Sequence, residues 1–208
     1  MKIILGSSSP NRKELLDRLG LKYEVVVPDY EEVIVPNQSA VDQVLLFAKG
    51  KGNSVYKKCI QSCKSEDFLI LAFDSMISCE GRTVGKAHAK KQAFEDIQSF
   101  VGKQQQVITG MAILGQWKGK YVEKVVHSSS DVTFRSDITN CQIRSYLNVG
   151  DWSGKCGSYS ILGSGQFLLE SIDGDFQNII GIPILQMGQV IRDITGKGIY
   201  SVLEFEKK

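Results

Sequence analysis

The stretch ILGSSSPNRKELLDRLG, residues 4–20, places a short apolar segment directly before a pattern typical of a helix. The run from Lys2 to Gly6 predicts a buried strand, and the apolar spacing from Pro10 to Leu19 predicts a helix that Gly20 ends. A strand that leads so directly into a helix favours an α/β fold.

The pattern continues with alternating strands and helices. Tyr23 to Val27 predicts a second strand, and Ala40 to about Lys58 predicts a helix. The segment FLILAFDSMISC, residues 68–79, is apolar on both faces, as a central strand would be. The next residues, CEGRTVGKA, predict a hairpin turn, and Ala87 to Val101 predicts an amphipathic helix.

The second half predicts a β-hairpin and then mixed elements. Residues 104–116 and 120–135 are typical of two long strands around a tight turn that contains glycine. We then expect a helix from Asp137 to Val149 with Asp137 as its cap, a strand-turn-strand over 166–183, a helix over 184–194 and a strand over 199–205.

These elements predict one domain over residues 1–208, of the α/β class, with two lobes around a mixed sheet. The chain shows no internal repeat and no low-complexity linker that would mark a domain boundary. A cleft between the lobes is the default place for a ligand.

Composition excludes several classes of protein. The chain has 208 residues, 42% of them hydrophobic, and a formal charge of +2 from 25 basic and 23 acidic residues that are mixed along it. It has no basic stripe of the kind that binds a nucleic-acid polymer. No apolar run approaches the ~18 residues of a membrane span, so we expect no membrane partner and a cytoplasmic location.

The cysteines and histidines do not form a recognisable site in the sequence. The five cysteines are scattered and odd in number, so we expect reduced, structural thiols. Cys59 and Cys63 lie four residues apart on a predicted helix, but nothing completes a zinc site. His88 and His127 stand alone, which argues against a histidine-ligated metal or a Ser-His-Asp triad.

The first helix carries a cation where helices prefer an anion. With Ser9 as the N-cap and Pro10 at the first helical position, Arg12 falls at the third. A cation there is disfavoured by ~0.3–1 kcal/mol, and a bound anion would reverse the sign. Backbone amides, serine hydroxyls and a guanidinium together favour a phosphate site. The alternative is that Arg12 extends into solvent.

Acidic residues supply the other candidates. Asp74 is predicted at the carboxyl end of the apolar strand, where α/β proteins bind ligands. With the loop residues Glu31 and Glu32 it would form an all-oxygen site suited to magnesium or manganese. Lys51 and Lys86 are surface lysines by default, although Lys86 could fold back towards Asp74. Taken alone, this chemistry predicts a metal-assisted phosphate-ester enzyme.

The segment LGSSSPNRKELLDRLGLKYEVVVPDYEE resembles the opening of the Maf nucleotide pyrophosphatases, in which Leu-Ala-Ser-x-Ser-Pro-Arg-Arg leads into Glu-Leu-Leu and a Glu-containing loop. Six further segments resemble family motifs in the same order, over roughly residues 3–192: FAKGKGNSV, LAFDS, VGKA, VITG, GKCGSYSILGSG and IDGDFQNIIGIP.

The resemblance implies an ITPase-like fold with an elongated sheet, and hydrolysis of nucleoside triphosphates to the monophosphate and pyrophosphate. It further implies a divalent metal, a house-cleaning role and a homodimer. The implied residues are Asp74 as proton acceptor and metal ligand, Glu32 as second carboxylate, Lys86 in catalysis and triphosphate binding, and Ser7, Arg12 and Lys51 in triphosphate binding.

Three positions depart from the family's specificity markers. This chain has Asn11 where the family has arginine or tryptophan, Ser75 where it has threonine or glutamine, and Leu162 where it has glutamine or glutamate. Ser75 is chemically closer to threonine, which favours the pyrimidine branch that acts on dTTP, UTP or their modified forms. The alternatives are a 7-methyl-GTP pyrophosphatase and a nucleotide-binding cell-division regulator with little turnover.

Overall fold

The computed structural model describes residues 1–36, 38–60 and 66–206. The elements in chain order are β1 (Lys2–Gly6), α1 (Pro10–Arg18), β2 (Glu24–Val25), α2 (Ala40–Cys59), β3 (Phe68–Cys79), β4 (Arg82–Val84), α3 (Lys90–Phe100), β5 (Gln104–Trp117), β6 (Lys120–Phe134), α4 (Asn140–Val149), a 3₁₀ helix (Ser164–Leu168), β7 (Leu169–Asp173), α5 (Phe176–Ile180), α6 (Ile184–Thr195) and α7 (Ile199–Val202).

Within the described residues, seven strands form one mixed sheet in the order β2-β1-β3-β5-β6-β7, with β4 paired to β3. Strand β1 is parallel to β2 and β3, whereas β4 is antiparallel to β3 and β7 is antiparallel to β6. The predicted mixed α/β class is therefore confirmed.

The register of β1 and β3 decides where the predicted site residues lie. Gly6, the last residue of β1, pairs with Ala72 of β3. Since β3 continues to Cys79, the prediction that Asp74 ends its strand is wrong. Ser7 and Asp74 nevertheless both follow the last paired residues of this parallel pair, and such carboxyl ends are where α/β sheets bind ligands.

The first compact unit is formed by residues 1–74, 109–128 and 181–208. Its core contains Ile4, Ala48, Val55, Phe68, Ile70, Ala72 and Leu114. Strand β5 lies directly against the backbone of α2, because a Cβ at Gly110 would lie only 2.3 Å from the carbonyl oxygen of Val44. Glycine at this position therefore allows α2 to pack on the sheet.

The second compact unit is formed by residues 75–108 and 129–180. Its core contains Ile77, Ile97, Phe100, Phe134, Ile143, Leu147 and Tyr159. Ser158 is fully buried with a left-handed φ of 63°, and its hydroxyl donates to Asp96 at 2.7 Å. That the two units act as one domain over residues 1–208 stays a prediction.

Most predicted elements are confirmed. Strands occupy 2–6 and 68–79 as expected, and α1 and α2 agree with the predictions to within a residue at each end. The β5–β6 turn has positive φ at Lys118 (52°) and Gly119 (71°), the conformation that suits a two-residue hairpin. The second strand is shorter than predicted, since only Glu24–Val25 pairs with β1.

The strand predicted after the turn at residues 174–175 is wrong, because Phe176–Ile180 is a helix. The Asp175 carboxylate accepts a hydrogen bond from the Gln177 amide at 2.9 Å, as a helix cap does. Asn178 is fully buried, and its side chain donates to the Val107 carbonyl oxygen. These local polar contacts override the strand preference of the isoleucines.

Two further predictions near helix ends are wrong. Ile199–Val202 forms a short helix instead of a strand, and within 199–205 only Phe205 keeps a β-bridge, to Leu21. The cap of α4 is Thr139, which forms a reciprocal capping box with Gln142, rather than Asp137. Asp137 instead accepts hydrogen bonds from Arg135.

Among the described residues, no helix is long and apolar enough to cross a membrane. No disulfide joins the described cysteines Cys59, Cys79, Cys141 and Cys156. Cys63 lies outside the described residues.

Candidate functional site

Ser7 and Arg12 meet at the start of α1. Ser9 is the N-cap, Pro10 is the first helical residue, and the Ser9 side chain makes no capping bond. Ser7 is buried, and its Oγ accepts hydrogen bonds from the Ser9 amide at 3.2 Å and from Arg12 Nη1 at 3.3 Å. The predicted cation therefore turns back over the amino end of its own helix.

Two partners from distant parts of the chain hold the guanidinium of Arg12. Its Nε donates to the carbonyl oxygen of Gly181 at 3.0 Å, and its Cζ lies 5.6 Å from the centre of the Phe73 ring. Neither partner is predictable from the sequence, because a backbone acceptor carries no side-chain signal and Phe73 looks like an ordinary core residue.

Two carboxylates meet at a single ammonium group. Lys51 Nζ lies 2.6 Å from Glu32 Oε1 and 2.6 Å from Asp74 Oδ1. The two oxygens are therefore no more than twice that distance apart. The Asp74 side chain is only 8% exposed and that of Lys51 12%, whereas Glu32 is half exposed. The structure thus brings together three residues that are widely separated in sequence.

Burial raises the pKa of Asp74 above its ordinary value of 3.8. The positive charges of Lys51 and Arg12 and the Lys51 hydrogen bond lower that pKa, and Glu32 raises it, but desolvation is the largest effect. A buried carboxylate with a raised pKa is better suited to accept a proton near neutral pH than an exposed one.

Lys51 is placed on α2 between two glycines that permit close packing. A Cβ at Gly50 would lie 2.1 Å from the Tyr30 ring, and one at Gly52 would lie 2.4 Å from Leu114 Cδ2. A glycine inside a helix lowers helix stability relative to alanine, so each has a packing reason to be there. Close packing of α2 on either side of Lys51 therefore depends on the absence of a side chain at Gly50 and Gly52.

The structure also describes the surroundings of the remaining predicted site residues. Asn11 is half-buried in α1. Lys86 is exposed and forms an antiparallel bridge with Cys156, whose Sγ donates to the carbonyl oxygen of Ser75 at 3.8 Å. Leu162 packs against the core of the second unit. Lys86, Ser75 and Leu162 belong to that unit, and their roles in substrate binding and catalysis stay predictions.

The donor set near Lys51 suits a hard divalent cation. The described residues contain no group of three or more His, Cys, Asp or Glu side chains that could enclose a metal. Mg²⁺ is commonly bound by one or two carboxylates, with substrate phosphates and water supplying the rest. Glu32 and Asp74, whose carboxylates both contact the Lys51 ammonium group, fit that pattern.

Comparison with known proteins gives the family. The sequence model described as "Maf-like protein" matches residues 2–194. The chain belongs to the Maf-like family. A relative named dTTP/UTP pyrophosphatase from Methanococcoides burtonii is 34% identical over 194 residues, which cover 93% of this chain and 95% of the relative.

Other relatives carry the same name. The dTTP/UTP pyrophosphatase of Clostridium botulinum strain Okra is 32% identical, over 92% of this chain and 96% of the relative. That of Moorella thermoacetica is 32% identical, over 91% and 93%. The solved structure of the Staphylococcus aureus Ham1 protein has a TM-score of 0.39 and 13% identity, and covers 65% of this chain and 73% of that one.

Proposed function

We propose that this Maf-like chain is a nucleoside triphosphate pyrophosphatase that acts on dTTP, UTP or modified pyrimidine nucleotides. The observation that carries the proposal is that the carboxylates of Glu32 and the buried Asp74 both contact the ammonium group of Lys51. The names of the relatives support the substrate class. A protein that only binds nucleotides would need the cations but not a buried base.

Residues of the first unit would bind the triphosphate. Ser7 and Arg12 would bind triphosphate oxygens at the start of α1, where backbone amides and positive charge favour an anion. Lys51, which lies beside the two carboxylates, would also bind a phosphate oxygen. Phosphoryl transfer depends mainly on positioning and charge neutralisation, so cations placed in this way do most of what the reaction requires.

Asp74 would accept the proton of the attacking water. The new bond forms between the water oxygen and one of the two phosphorus atoms of the α–β bridge, and the bond from that phosphorus to the bridging oxygen breaks. The bridging oxygen leaves with the electron pair, on pyrophosphate when the α-phosphorus is attacked and on the monophosphate when the β-phosphorus is attacked. Glu32 and Asp74 would hold a magnesium or manganese ion, whose charge would stabilise the developing negative charge on the phosphoryl oxygens.

Lys86, Asn11, Ser75 and Leu162 complete the proposal. Lys86 would add a cation for the triphosphate and its transition state. Asn11, Ser75 and Leu162 would select the base, and Ser75 favours the pyrimidine branch because its hydroxyl resembles that of threonine. We further propose a cytoplasmic homodimer with a house-cleaning role and no nucleic-acid polymer as partner. Light scattering of the purified protein tests the dimer.

A panel of nucleotides tests the proposed activity. Pyrophosphate release from dTTP, UTP, 5-methyl-UTP and 7-methyl-GTP is measured with magnesium and with manganese, and specificity constants are compared. We expect release to favour the pyrimidine nucleotides. A clear preference for 7-methyl-GTP would overturn the substrate class, and no metal-dependent release from any nucleotide would overturn the enzyme proposal.

A matched pair of variants tests the proposed base. Asp74→Asn should abolish release while the circular dichroism spectrum stays that of the wild type. Asp193→Asn changes an exposed carboxylate on α6 and should leave release unchanged. Activity retained in Asp74→Asn would show that Asp74 is not the base.

A further inference from the structure

The loop that carries Glu32, residues 26–36 between β2 and α2, is fastened along one face of α2. Its first contact is the Val27 carbonyl oxygen, which accepts from Lys58 Nζ at 2.9 Å. The second is a reciprocal pair: Ser54 Oγ accepts from the Asp29 amide at 2.8 Å and donates to the Asp29 carbonyl oxygen at 3.0 Å.

The third contact is a ring placed on a glycine. The Tyr30 ring occupies the space next to Gly50, where a Cβ would lie 2.1 Å from Tyr30 Cε2. The same ring meets Phe47 edge-on, with centroids 6.3 Å apart. Gly50 lies in the interior of the 20-residue helix α2, where alanine would be favoured by helix propensity alone.

The contacts follow the helix in order. Positions 58, 54, 50 and 47 are spaced by three or four residues and so share one helix face, while the loop advances from 27 to 30 in the opposite direction. The next loop contact is Glu32 with Lys51. The loop therefore reaches the carboxylate site only after three successive attachments to α2.

Glu32 needs such a scaffold because burial does not fix its position. Its side chain is 49% exposed, in contrast to 8% for Asp74, which is held within the sheet. A ligand on an exposed loop keeps its geometry only through the contacts that order the loop.

We propose that Ser54 and the Tyr30–Gly50 contact are positioning elements that hold Glu32 beside Asp74 for binding the divalent cation. This inference rests on the proposed function, in which Glu32 and Asp74 are the metal ligands. Ser54 and Gly50 act through Glu32 and need not touch the substrate.

Manganese binding tests the inference without turnover. The probe is Mn²⁺ in the presence of the non-hydrolysable nucleotide α,β-methylene-dTTP, with free Mn²⁺ measured by electron paramagnetic resonance. Gly50→Ala forces the Tyr30 ring to move, and we expect it to weaken Mn²⁺ binding by about tenfold. Ser54→Ala removes two hydrogen bonds without adding bulk and should weaken binding in the same direction.

The matched control is Gly188→Ala in α6. There the added Cβ would meet only Ile199, at an ordinary distance of 3.8 Å, so Mn²⁺ affinity should not change. Thermal unfolding of each variant shows whether it is folded. If Gly50→Ala does not fold, Ser54→Ala decides the outcome.

A double-mutant cycle separates positioning from general loosening of the fold. In a Glu32→Gln background, Gly50→Ala and Ser54→Ala should weaken Mn²⁺ binding no further, because the ligand they place is already gone. Equal effects in both backgrounds, or wild-type affinity in the single variants, would overturn the inference.

The two levels of proposal fail in different ways. If the wild type releases pyrophosphate but the loop variants bind Mn²⁺ normally, only the positioning inference is wrong. If the wild type neither binds Mn²⁺ with the nucleotide nor releases pyrophosphate, the proposed function and the inference that rests on it are both wrong.

Discussion

Lys51 Nζ lies 2.6 Å from Asp74 Oδ1, and the side chains are only 12% and 8% exposed. Since Glu32 contacts the same nitrogen, one lysine forms ion pairs with two carboxylates. A buried pair of this kind is costly to break from one side, because the remaining charge is left without its partner.

Lys51→Met should therefore destabilise the protein by about 3 kcal/mol. Urea unfolding measures the change. Lys49→Met is the control: Lys49 lies on the same helix but forms a more exposed pair with Glu123, and its loss should cost no more than about 1 kcal/mol. Equal losses in the two variants would contradict the buried-pair interpretation.

The raised pKa of Asp74 predicts a pH dependence of stability in the metal-free protein. Because the folded state binds this proton more tightly than the unfolded state does, protonation of Asp74 stabilises the folded protein. This stabilisation is complete below the ordinary pKa of 3.8 and is lost as pH rises through the folded pKa. In EDTA, the wild type should therefore lose stability as pH rises from 4 to 7, whereas Asp74→Asn should not lose this contribution. The difference in the free energy of unfolding, variant minus wild type, should increase over this range. A difference that does not vary with pH would contradict the prediction.

Arg12→Ala should mainly weaken nucleotide binding. The guanidinium is held by Ser7 and the Gly181 carbonyl oxygen, and removal of one charged hydrogen-bonding group from a phosphate site costs about 1.5–3 kcal/mol, or roughly 10- to 150-fold in affinity. Calorimetry with α,β-methylene-dTTP measures the loss. Arg18→Ala, an exposed change on the same helix, should have no effect on affinity. An unchanged affinity in Arg12→Ala would exclude the anion site at α1.

Gly110→Ala should disturb the seat of α2. The added Cβ would lie 2.3 Å from the Val44 carbonyl oxygen and could fit only if the helix or β5 moved, at a cost of about 1–3 kcal/mol. Urea unfolding measures that cost, and crystallography would show the shift of α2. Gly188→Ala, where the added Cβ would make only an ordinary contact with Ile199, should leave stability equal or slightly raised. Wild-type stability in Gly110→Ala would contradict the close approach of helix and strand.

Periodicity predicted the elements where one pattern extends over many residues. The strand at 68–79 and helix α2 are examples, because burial on both faces or along one stripe leaves a clear signal. It failed over 176–180 and 199–205, where the segments are short and caps or tertiary contacts decide the conformation. The residue types of the carboxylate site were predictable, but the scaffold contacts of Tyr30 and Ser54 depend on how the chain folds back.

The bond between Arg12 and the carbonyl oxygen of Gly181 spans 169 residues of sequence. During synthesis on the ribosome, Glu32, Lys51 and Asp74 are all available once the first part of the chain has emerged. The cation at α1 cannot reach its backbone partner until residue 181 has been made. The proposed anion site is therefore completed later than the carboxylate pair, and chains that terminate before residue 181 would carry the two carboxylates without the backbone partner of Arg12.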